Sequence, residues 1–118
     1  MPARCWGSNF GGQLGDGSTT DRPSPVAVSG ITNAIDLDMA PNHTCAVLAT
    51  GVVMCWGLGN FGNLGQGTTA SSTTPIAAMI SNATTVTAGY DATCATTRSG
   101  QLYCWGMNDA GQLGTGDT

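Results

Sequence analysis

Short runs of alternating apolar and polar residues recur along the chain, separated by clusters of glycine, serine and threonine. Residues 35–39 alternate Ile, Leu and Met with aspartate, and residues 85–88 alternate threonine with Val and Ala. This period of two predicts half-buried strands with their apolar residues inside. Residues 25–28 and 75–78 each begin with proline, which predicts edge strands, because proline lacks the donor that an inner strand uses. No stretch has the period of an amphipathic helix.

These runs belong to a sequence repeat of about fifty residues. Cys-Trp-Gly occurs three times, with its tryptophans 50 and 49 residues apart, and a leucine follows each tryptophan after eight residues. The pattern predicts a single array with repeats over about 5–54 and 55–103 and a partial repeat over 104–118. Four short strands per repeat predict an all-β fold made of β-propeller blades of four antiparallel strands. About two complete blades plus a partial repeat are expected, which do not close a ring.

The glycine-rich stretch after each Cys-Trp-Gly is predicted to form the joint between neighbouring blades. In residues 55–67, Trp56 is expected to act as a wedge between sheets with Leu64 packed below it, while the glycines let the backbone turn and approach closely. The first Cys-Trp-Gly, residues 5–7, is expected to be the last strand of its sheet. The joint positions predicted in this way are Trp6, Trp56, Trp105, Leu14, Leu64, Leu113, Gly15, Gly65 and Gly114.

Four of the five cysteines lie in pairs ten residues apart. If Cys45 faces Cys55 across a hairpin, and Cys94 faces Cys104, each hairpin has a three-residue loop ending in glycine, the residue favoured there. Directly opposed residues have Cα atoms ~4.5 to 5.5 Å apart, within reach of a disulfide. We therefore predict two disulfides, with four buried free thiols as the alternative, and leave Cys5 unpaired. Disulfides indicate an oxidising compartment, which means an extracellular, cell-surface or periplasmic location.

Composition narrows the classes of partner. Charged residues make up 8% of the chain, the net charge is −4, and three scattered arginines form no basic stripe, so nucleic acid is not an expected partner. No apolar run approaches the ~20 residues of a membrane helix, so a membrane is not expected either. Asn42 and Asn82 begin glycosylation sequons and are candidate modification sites if the chain is exported.

No set of side chains predicts catalysis, a metal site or a cofactor. His43, the only histidine, stands near Cys45, but that cysteine is assigned to a disulfide and Ala92 holds the matching position in the next repeat. We expect a hydrogen-bonding histidine at a strand edge. One histidine with cysteines ten residues apart matches no zinc spacing. Asp36 and Asp38 share a strand face, but threonines replace them in the next repeat, so a solvated face is expected.

The order of these motifs resembles the regulator of chromosome condensation repeat family. Cys-Trp-Gly-x-Asn is followed by Gly-Gln-Leu-Gly-x-Gly, a proline, an apolar strand and His-Thr-Cys-Ala-Val before the next Cys-Trp-Gly. The resemblance covers nearly the whole chain and implies blades of four antiparallel strands, seven of which close a ring in the best-known members. The chain departs from the pattern at Gly59, in the Asn9 slot, and at Ala92, in the His43 slot. The matching residues are Asn9, Gly12, Gln13, Leu14, Gly15, Gly17, Pro25, His43, Thr44, Cys45, Cys55, Trp56 and Gly57.

Members of this family include a nucleotide exchange factor that binds chromatin, inhibitors of secreted β-lactamases, and interaction platforms, so the fold alone does not choose a function. Paired cysteines in an acidic chain resemble the secreted branch. We expect a non-catalytic extracellular module that binds protein or glycan, through loops such as residues 60–63 and 68–74, as part of a larger propeller or array. The alternatives are a self-assembling structural subunit, joined head to tail into a ring or filament, and an inhibitor of a secreted enzyme.

Overall fold

The computed structural model describes residues 3–89 and 91–106, and strands and turns make up this part of the chain. No helix long and apolar enough to cross a membrane occurs among the residues so described. The strands are β1 (Arg4–Gly7), β2 (Arg22–Ala27), β3 (Ala34–Met39), β4 (His43–Leu48), β5 (Val53–Gly57), β6 (Ser72–Ala77), β7 (Ala83–Gly89), β8 (Ala92–Thr97) and β9 (Leu102–Gly106).

These strands form three antiparallel sheets, which we call the first sheet (β1 and β2), the central sheet (β3 to β6) and the third sheet (β7 to β9). Strands that follow one another in the sequence are neighbours within each sheet. The prediction of an all-β fold with antiparallel blades that do not close a ring is confirmed. Over residues 3–89 and 91–106, the central sheet has all four strands of a blade, the first sheet has two and the third has three.

The β4–β5 and β8–β9 hairpins have the register that the cysteine spacing predicts. Cys45 lies opposite Cys55, and Cys94 lies opposite Cys104. Gly51 ends the first of the two turns with φ of 87°, in the left-handed region that residues with a Cβ rarely adopt. The prolines at the predicted strand starts lie in β2 and β6, which are edge strands as expected.

The first Cys-Trp-Gly lies at a different place in its sheet from the expected one. Cys5 in β1 is opposite Val26 in β2, just as Cys55 in β5 is opposite Ile76 in β6. Cys-Trp-Gly therefore belongs to the third strand of a blade, and the expectation of a last strand was wrong. The central sheet runs from β3 to β6, so it begins within one sequence repeat and ends within the next.

Two buried layers hold the three sheets together. β4 contributes to both layers because its side chains alternate between the two faces of the central sheet, with Ala46 on one side and Val47 on the other. The first layer, between the first and central sheets, contains Cys5, Leu14, Val28, Ile31, Ala46 and Trp56. The second layer, between the central and third sheets, contains Cys45, Val47, Val53, Cys55, Leu64, Ala78, Ala83, Val86 and Ala95.

The side chains of β3 do not follow the expected pattern of buried apolar residues and solvated aspartates. Ile35 is 58% exposed. Asp36 accepts a hydrogen bond from the backbone N–H of Val86 at 2.9 Å, and Asp38 accepts one from Ala88 at 2.8 Å. The prediction of a solvated aspartate face was therefore wrong. The edge strand β7 has N–H groups that β8 does not use, and the carboxylates of β3 supply acceptors for them.

Candidate functional site

The joint between the first and central sheets centres on the backbone carbonyl oxygen of Gln13. This oxygen accepts hydrogen bonds from Thr44 Oγ1 at 2.7 Å and from Trp56 Nε1 at 2.8 Å. Trp56 is fully buried and lies in the same layer as Leu14. Gly15 has φ of 74°, and a Cβ there would lie 2.6 Å from Trp56 Nε1. Both the backbone conformation and the nearness of the indole ring therefore require glycine at this position.

The joint between the central and third sheets repeats this arrangement at the matching positions. The carbonyl oxygen of Asn63 accepts hydrogen bonds from Thr93 Oγ1 at 2.7 Å and from Trp105 Nε1 at 2.9 Å. Trp105 packs against the layer that contains Leu64. Gly65 has φ of 79°, and a Cβ there would lie 2.7 Å from Trp105 Nε1. One loop carbonyl, one threonine, one tryptophan and one glycine thus form a repeated joint.

The tryptophan of each joint comes from the repeat that follows the loop. Trp56 packs with Leu14, whereas Leu64 meets Trp105, so the expectation that Trp56 sits above Leu64 was wrong. The cause is that side chains alternate between the two faces of β5, so Trp56 points towards the first sheet. The loop that follows β5 and carries Leu64 packs towards the third sheet instead. Two of the predicted joint residues lie outside the described part of the chain, Leu113 and Gly114.

His43 is a joint residue rather than a histidine at a strand edge. It is fully buried on β4, which lies between β3 and β5. Its Nε2 atom lies 2.8 Å from Thr93 Oγ1. The Thr93 hydroxyl donates its only proton to the carbonyl of Asn63, so His43 Nε2 must be the donor in their contact. The histidine therefore links the central sheet to the third, and its neighbour Cys45 is held in a disulfide.

The structure joins Cys45 to Cys55 and Cys94 to Cys104, with the Cα atoms 4.1 Å apart in both pairs. The bond of the central sheet is fully buried in the second layer. The bond of the third sheet is half buried, on the face turned away from the central sheet. Cys5 is free and buried, and burial raises the pKa of its thiol, which disfavours the reactive thiolate.

Asn9 and Asp16 fix the loop that carries the first joint carbonyl. Asn9 is buried, and its Nδ2 donates to the backbone oxygen of Ser18 at 3.0 Å while its Oδ1 accepts from Leu14 N at 3.0 Å. Burial raises the pKa of Asp16, but hydrogen bonds from Ser18, Arg22 and Asn9 outweigh this effect and lower the pKa to about 2. Asp16 is therefore a turn-capping carboxylate. No cluster of metal-binding side chains occurs within residues 3–89 and 91–106.

A groove of about 400 Å³ opens between the loops that follow β1 and β5. Phe10 is 61% exposed at its rim, and Leu58 lies within it. The predicted partner loop 68–74 contributes three of the lining residues, while loop 60–63 contributes none. The other lining residues are Gly11, Thr19, Ser71, Ser72 and Thr73, so the lining is uncharged. The sequence reasoning missed Phe10 and Leu58, although an aromatic residue in a polar turn was the available signal.

A second groove, of about 640 Å³, runs beside β9. Met79 is 79% exposed and Tyr103 is 46% exposed along it. β9 pairs with β8 on one side only among the described strands. In the central sheet the matching strand β5 pairs on both sides, with β4 and β6.

The two sequon asparagines differ in their surroundings. Asn42 is half buried, with its Nδ2 atom 3.5 Å from Asp91 Oδ1, and Thr44 of the same sequon is fully buried in the first joint. Asn82 is exposed and has φ of 58°. Glycosylation stays a prediction at both positions, and Asn82 is the more accessible of the two.

A family model of the regulator of chromosome condensation (RCC1) repeat matches residues 5–47 and 50–96, and a second model of this repeat matches residues 83–112. No curated protein sequence matches the chain.

Solved structures share the fold at low sequence identity. Prp20p from Saccharomyces cerevisiae, described with its binding properties to Gsp1p and histones, is 22% identical over 93% of this chain, with a TM-score of 0.77. Human WBSCR16 is 22% identical over 89%, with a TM-score of 0.73, and yeast RCC1 (Prp20) bound to Kap60 is 23% identical over 90%, with a TM-score of 0.71. The chain spans 27%, 28% and 26% of these three structures.

Proposed function

Because this chain belongs to the RCC1 repeat family, we propose that it is a non-catalytic module that binds a protein partner, outside the cell and as part of a larger propeller or array. Two of the solved structures support a binding role by their own descriptions: Prp20p with Gsp1p and histones, and yeast RCC1 with Kap60. The pairing of four cysteines into two disulfides supports an oxidising location.

The groove at Phe10 carries this proposal. An aromatic ring that is 61% exposed next to Leu58 supplies the apolar anchor, and the serine and threonine side chains of the opposite loop supply a polar rim. Protein interfaces combine these two features, with aromatic residues at their centre. The uncharged lining favours a partner that presents apolar and hydroxyl groups rather than a charged segment.

Three side chains that could perform acid–base or nucleophilic chemistry, among the residues that the structure describes, are engaged in structural contacts. His43 donates to Thr93 across the second joint, Cys45 is in a disulfide, and Asp36 accepts a backbone N–H from β7. This use of the candidate residues supports a binding function over catalysis.

The test compares the chain with two aspartate variants. Biotinylated wild type, Phe10→Asp and Phe61→Asp are used to capture partners from the culture fluid and surface fraction of the source organism. Phe61 is a matched control, because it is 47% exposed in the corresponding glycine-rich turn and does not line the groove. We expect a partner that wild type and Phe61→Asp retain and that Phe10→Asp loses by tenfold or more. Equal capture by all three proteins contradicts the assignment of the groove at Phe10 as the binding site. Capture repeated after enzymatic deglycosylation of the extract shows whether the ligand is a glycan or a protein.

Self-association is the second candidate, and the open sheet edges favour it. Among the described strands, β1 and β9 each pair on one side only, whereas β5 at the same blade position pairs on both. An unpaired edge strand presents N–H and C=O groups that another chain can bind. Analytical ultracentrifugation over a range of concentrations tests this candidate, and a single monomeric species throughout refutes it.

A further inference from the structure

We propose that Asn82 carries an N-linked glycan that lies over the groove beside β9, and that Asn42 stays unmodified. This inference rests on the extracellular location proposed above, because sequons of this kind are modified in secreted proteins. In the reaction, Asn82 Nδ2 bonds to the anomeric carbon of an oligosaccharide that is carried on a lipid diphosphate. The bond from that carbon to the diphosphate oxygen breaks, the lipid diphosphate leaves, and Nδ2 loses one proton to the transferase.

The first argument is the place of this sequon in the fold. Asn82-Ala83-Thr84 has the acceptor pattern, which requires a residue other than proline at its middle position. Asn82 is exposed in the loop between β6 and β7. Its backbone oxygen accepts a hydrogen bond from Arg98 N at 3.0 Å, and Ala83 N donates to Gly51 O at 3.0 Å. The backbone of the loop is thus held in place while the Asn82 side chain stays at the surface, where a bulky glycan is tolerated.

The matching loop of the preceding repeat shows that this position stays accessible when another sheet packs on its own. Ala34 begins β3 and Ala83 begins β7, so Asn33 and Asn82 hold the same place. β3 belongs to the central sheet, on which the third sheet packs, and Asn33 is only half buried. Asn33 is not in a sequon, because Ile35 stands where the hydroxyl residue is needed. The accessibility of Asn82 is therefore a property of this loop in the blade.

The second argument is the contrast with Asn42, which has the same motif in different surroundings. Asn42 is half buried, its Nδ2 atom lies 3.5 Å from Asp91 Oδ1, and its backbone oxygen accepts a hydrogen bond from Leu58 N at 2.8 Å. Thr44 of this sequon is fully buried and donates to the Gln13 carbonyl at 2.7 Å. A sugar on Asn42 Nδ2 would displace Asp91 and stand where the sheets meet. The fold therefore accommodates a glycan at Asn82 and opposes one at Asn42.

The third argument is the chemistry of the groove beside β9, which Asn82 itself lines. Its polar side chains carry hydroxyl and amide groups, which can donate to and accept from sugar hydroxyls. Tyr103 and Met79, both exposed along the groove, supply apolar surface for a sugar chain to cover. A glycan that starts at Asn82 therefore meets a surface that suits it. The polar residues of the lining are Ser81, Asn82, Thr97, Ser99 and Gln101.

The composition of the chain gives such a glycan a physical role. Charged residues make up 8% of the chain, which contains no lysine and no glutamate, whereas soluble domains usually have about 25%. Met79 lies three residues before Asn82 and is 79% exposed. A glycan is bulky and solubilising, so sugars at Asn82 would supply the hydration that charged side chains supply in other proteins.

The experiment maps sugar on the protein isolated from its source organism. Chymotrypsin cleaves after aromatic residues such as Trp56 and so separates the two sequons. An amidase that cuts the bond between asparagine and sugar, used in heavy-oxygen water, turns each occupied asparagine into labelled aspartate, which mass spectrometry detects. We expect labelled aspartate at Asn82 and none at Asn42.

The outcomes separate this inference from the proposed function. Unmodified Asn82 in secreted protein that contains both disulfides overturns the glycosylation site and leaves the extracellular location standing. Protein that is recovered only from inside cells, with free thiols and no sugar, overturns both. Labelled aspartate at Asn42 overturns the selectivity between the two sequons.

Variants made in the source organism test the acceptor directly. Asn82→Gln removes the acceptor nitrogen, Thr84→Val removes the hydroxyl of the sequon and Thr84→Ser keeps it, while Asn42→Gln is the matched control. We expect sugar to be lost from Asn82→Gln and Thr84→Val and retained by Thr84→Ser and Asn42→Gln. Sugar that persists in Asn82→Gln overturns the proposal. The map of the wild-type protein decides the site even where a variant fails to fold, because it needs no substitution.

Methionine oxidation tests whether the glycan covers the groove. Peroxide oxidises exposed methionines to the sulfoxide, and mass spectrometry gives the rate at each position. Removing the sugar from the folded protein should speed the oxidation of Met79. Met39 is the control, since it is 41% exposed on β3 and does not line the groove. Equal rates at Met79 before and after removal of the sugar overturn the proposed covering.

Discussion

Replacing Gly15 by alanine tests whether the fit of the indole ring in the joint determines stability. Gly15 has φ of 74°, and a Cβ there would lie 2.6 Å from Trp56 Nε1 and 2.9 Å from a methyl group of Val28. Gly30 is the matched control, since it has φ of 76° and no atom within 4 Å of the added Cβ. The two variants therefore carry the same backbone strain and differ in the collision with the ring.

The expected loss of stability follows from these contacts. The left-handed backbone costs roughly 1 to 2 kcal/mol for alanine in both variants. Gly15→Ala adds an overpacking cost of about 1 to 3 kcal/mol and weakens the hydrogen bond from Trp56 to Gln13, which contributes about 1 kcal/mol. Gly15→Ala should therefore be less stable than Gly30→Ala by roughly 2 to 4 kcal/mol, which corresponds to a melting temperature lower by roughly 10 °C or more.

The assay is urea unfolding of wild type, Gly15→Ala and Gly30→Ala, followed by tryptophan fluorescence, with thermal melts by circular dichroism alongside. Equal free energies of unfolding for the two variants, within about 0.5 kcal/mol, would show that the ring and loop adjust freely. In that outcome the joint would not depend on glycine for its packing. The explanation that glycine repeats in the Gly-x-Leu-Gly segment because a Cβ would collide with the indole ring would then be refuted.

Three further predictions follow from the charges and thiols. Asp36→Ala should lower the free energy of unfolding by about 1 to 2 kcal/mol and speed hydrogen exchange of the Val86 amide, measured by NMR, because that N–H loses its acceptor. An unchanged exchange rate would contradict the role of the Asp36 carboxylate. The pKa of Asp16 is lowered from 3.8 to about 2, so the ionised carboxylate stabilises the fold above pH 4, and this stabilisation is lost as the pH falls through 2. Asp16→Asn should therefore flatten the fall in melting temperature across this window. Parallel plots of melting temperature against pH for wild type and Asp16→Asn would refute the link between the ionisation of Asp16 and stability. Mild reduction should open the half-buried disulfide of the third sheet before the fully buried bond of the central sheet, and Cys5 should be alkylated only on unfolding. Alkylation of the free thiols followed by mass spectrometry measures this order, and equal reduction rates for the two disulfides would contradict it.

The site was only partly predictable from sequence. The glycines and tryptophans of the joint stand out because they repeat, but the carbonyl oxygens of Gln13 and Asn63 do not, since a backbone oxygen leaves no trace in residue type. The sequence does not single out Phe10, because one aromatic residue in a turn indicates a groove only when the fold places Leu58 beside it.

Local chemistry determined the strands and hairpins. The period of two, the prolines of the edge strands, the ten-residue cysteine spacing and the glycines at the hairpin loops act over a few residues, so the pattern along the chain contains them directly. The register of both hairpins and the antiparallel order of strands within each sheet follow from these signals.

The packing of sheet on sheet was decided by the tertiary structure. Which loop holds Trp56, why the aspartates of β3 turn towards β7, and why His43 is buried all depend on groups that lie about 40 to 50 residues away in the sequence. The alternation of apolar and polar residues along a strand predicts its two faces, but it does not predict which sheet or loop packs against each face. That choice is made when the sheets come together, because each buried polar group must then find its partner.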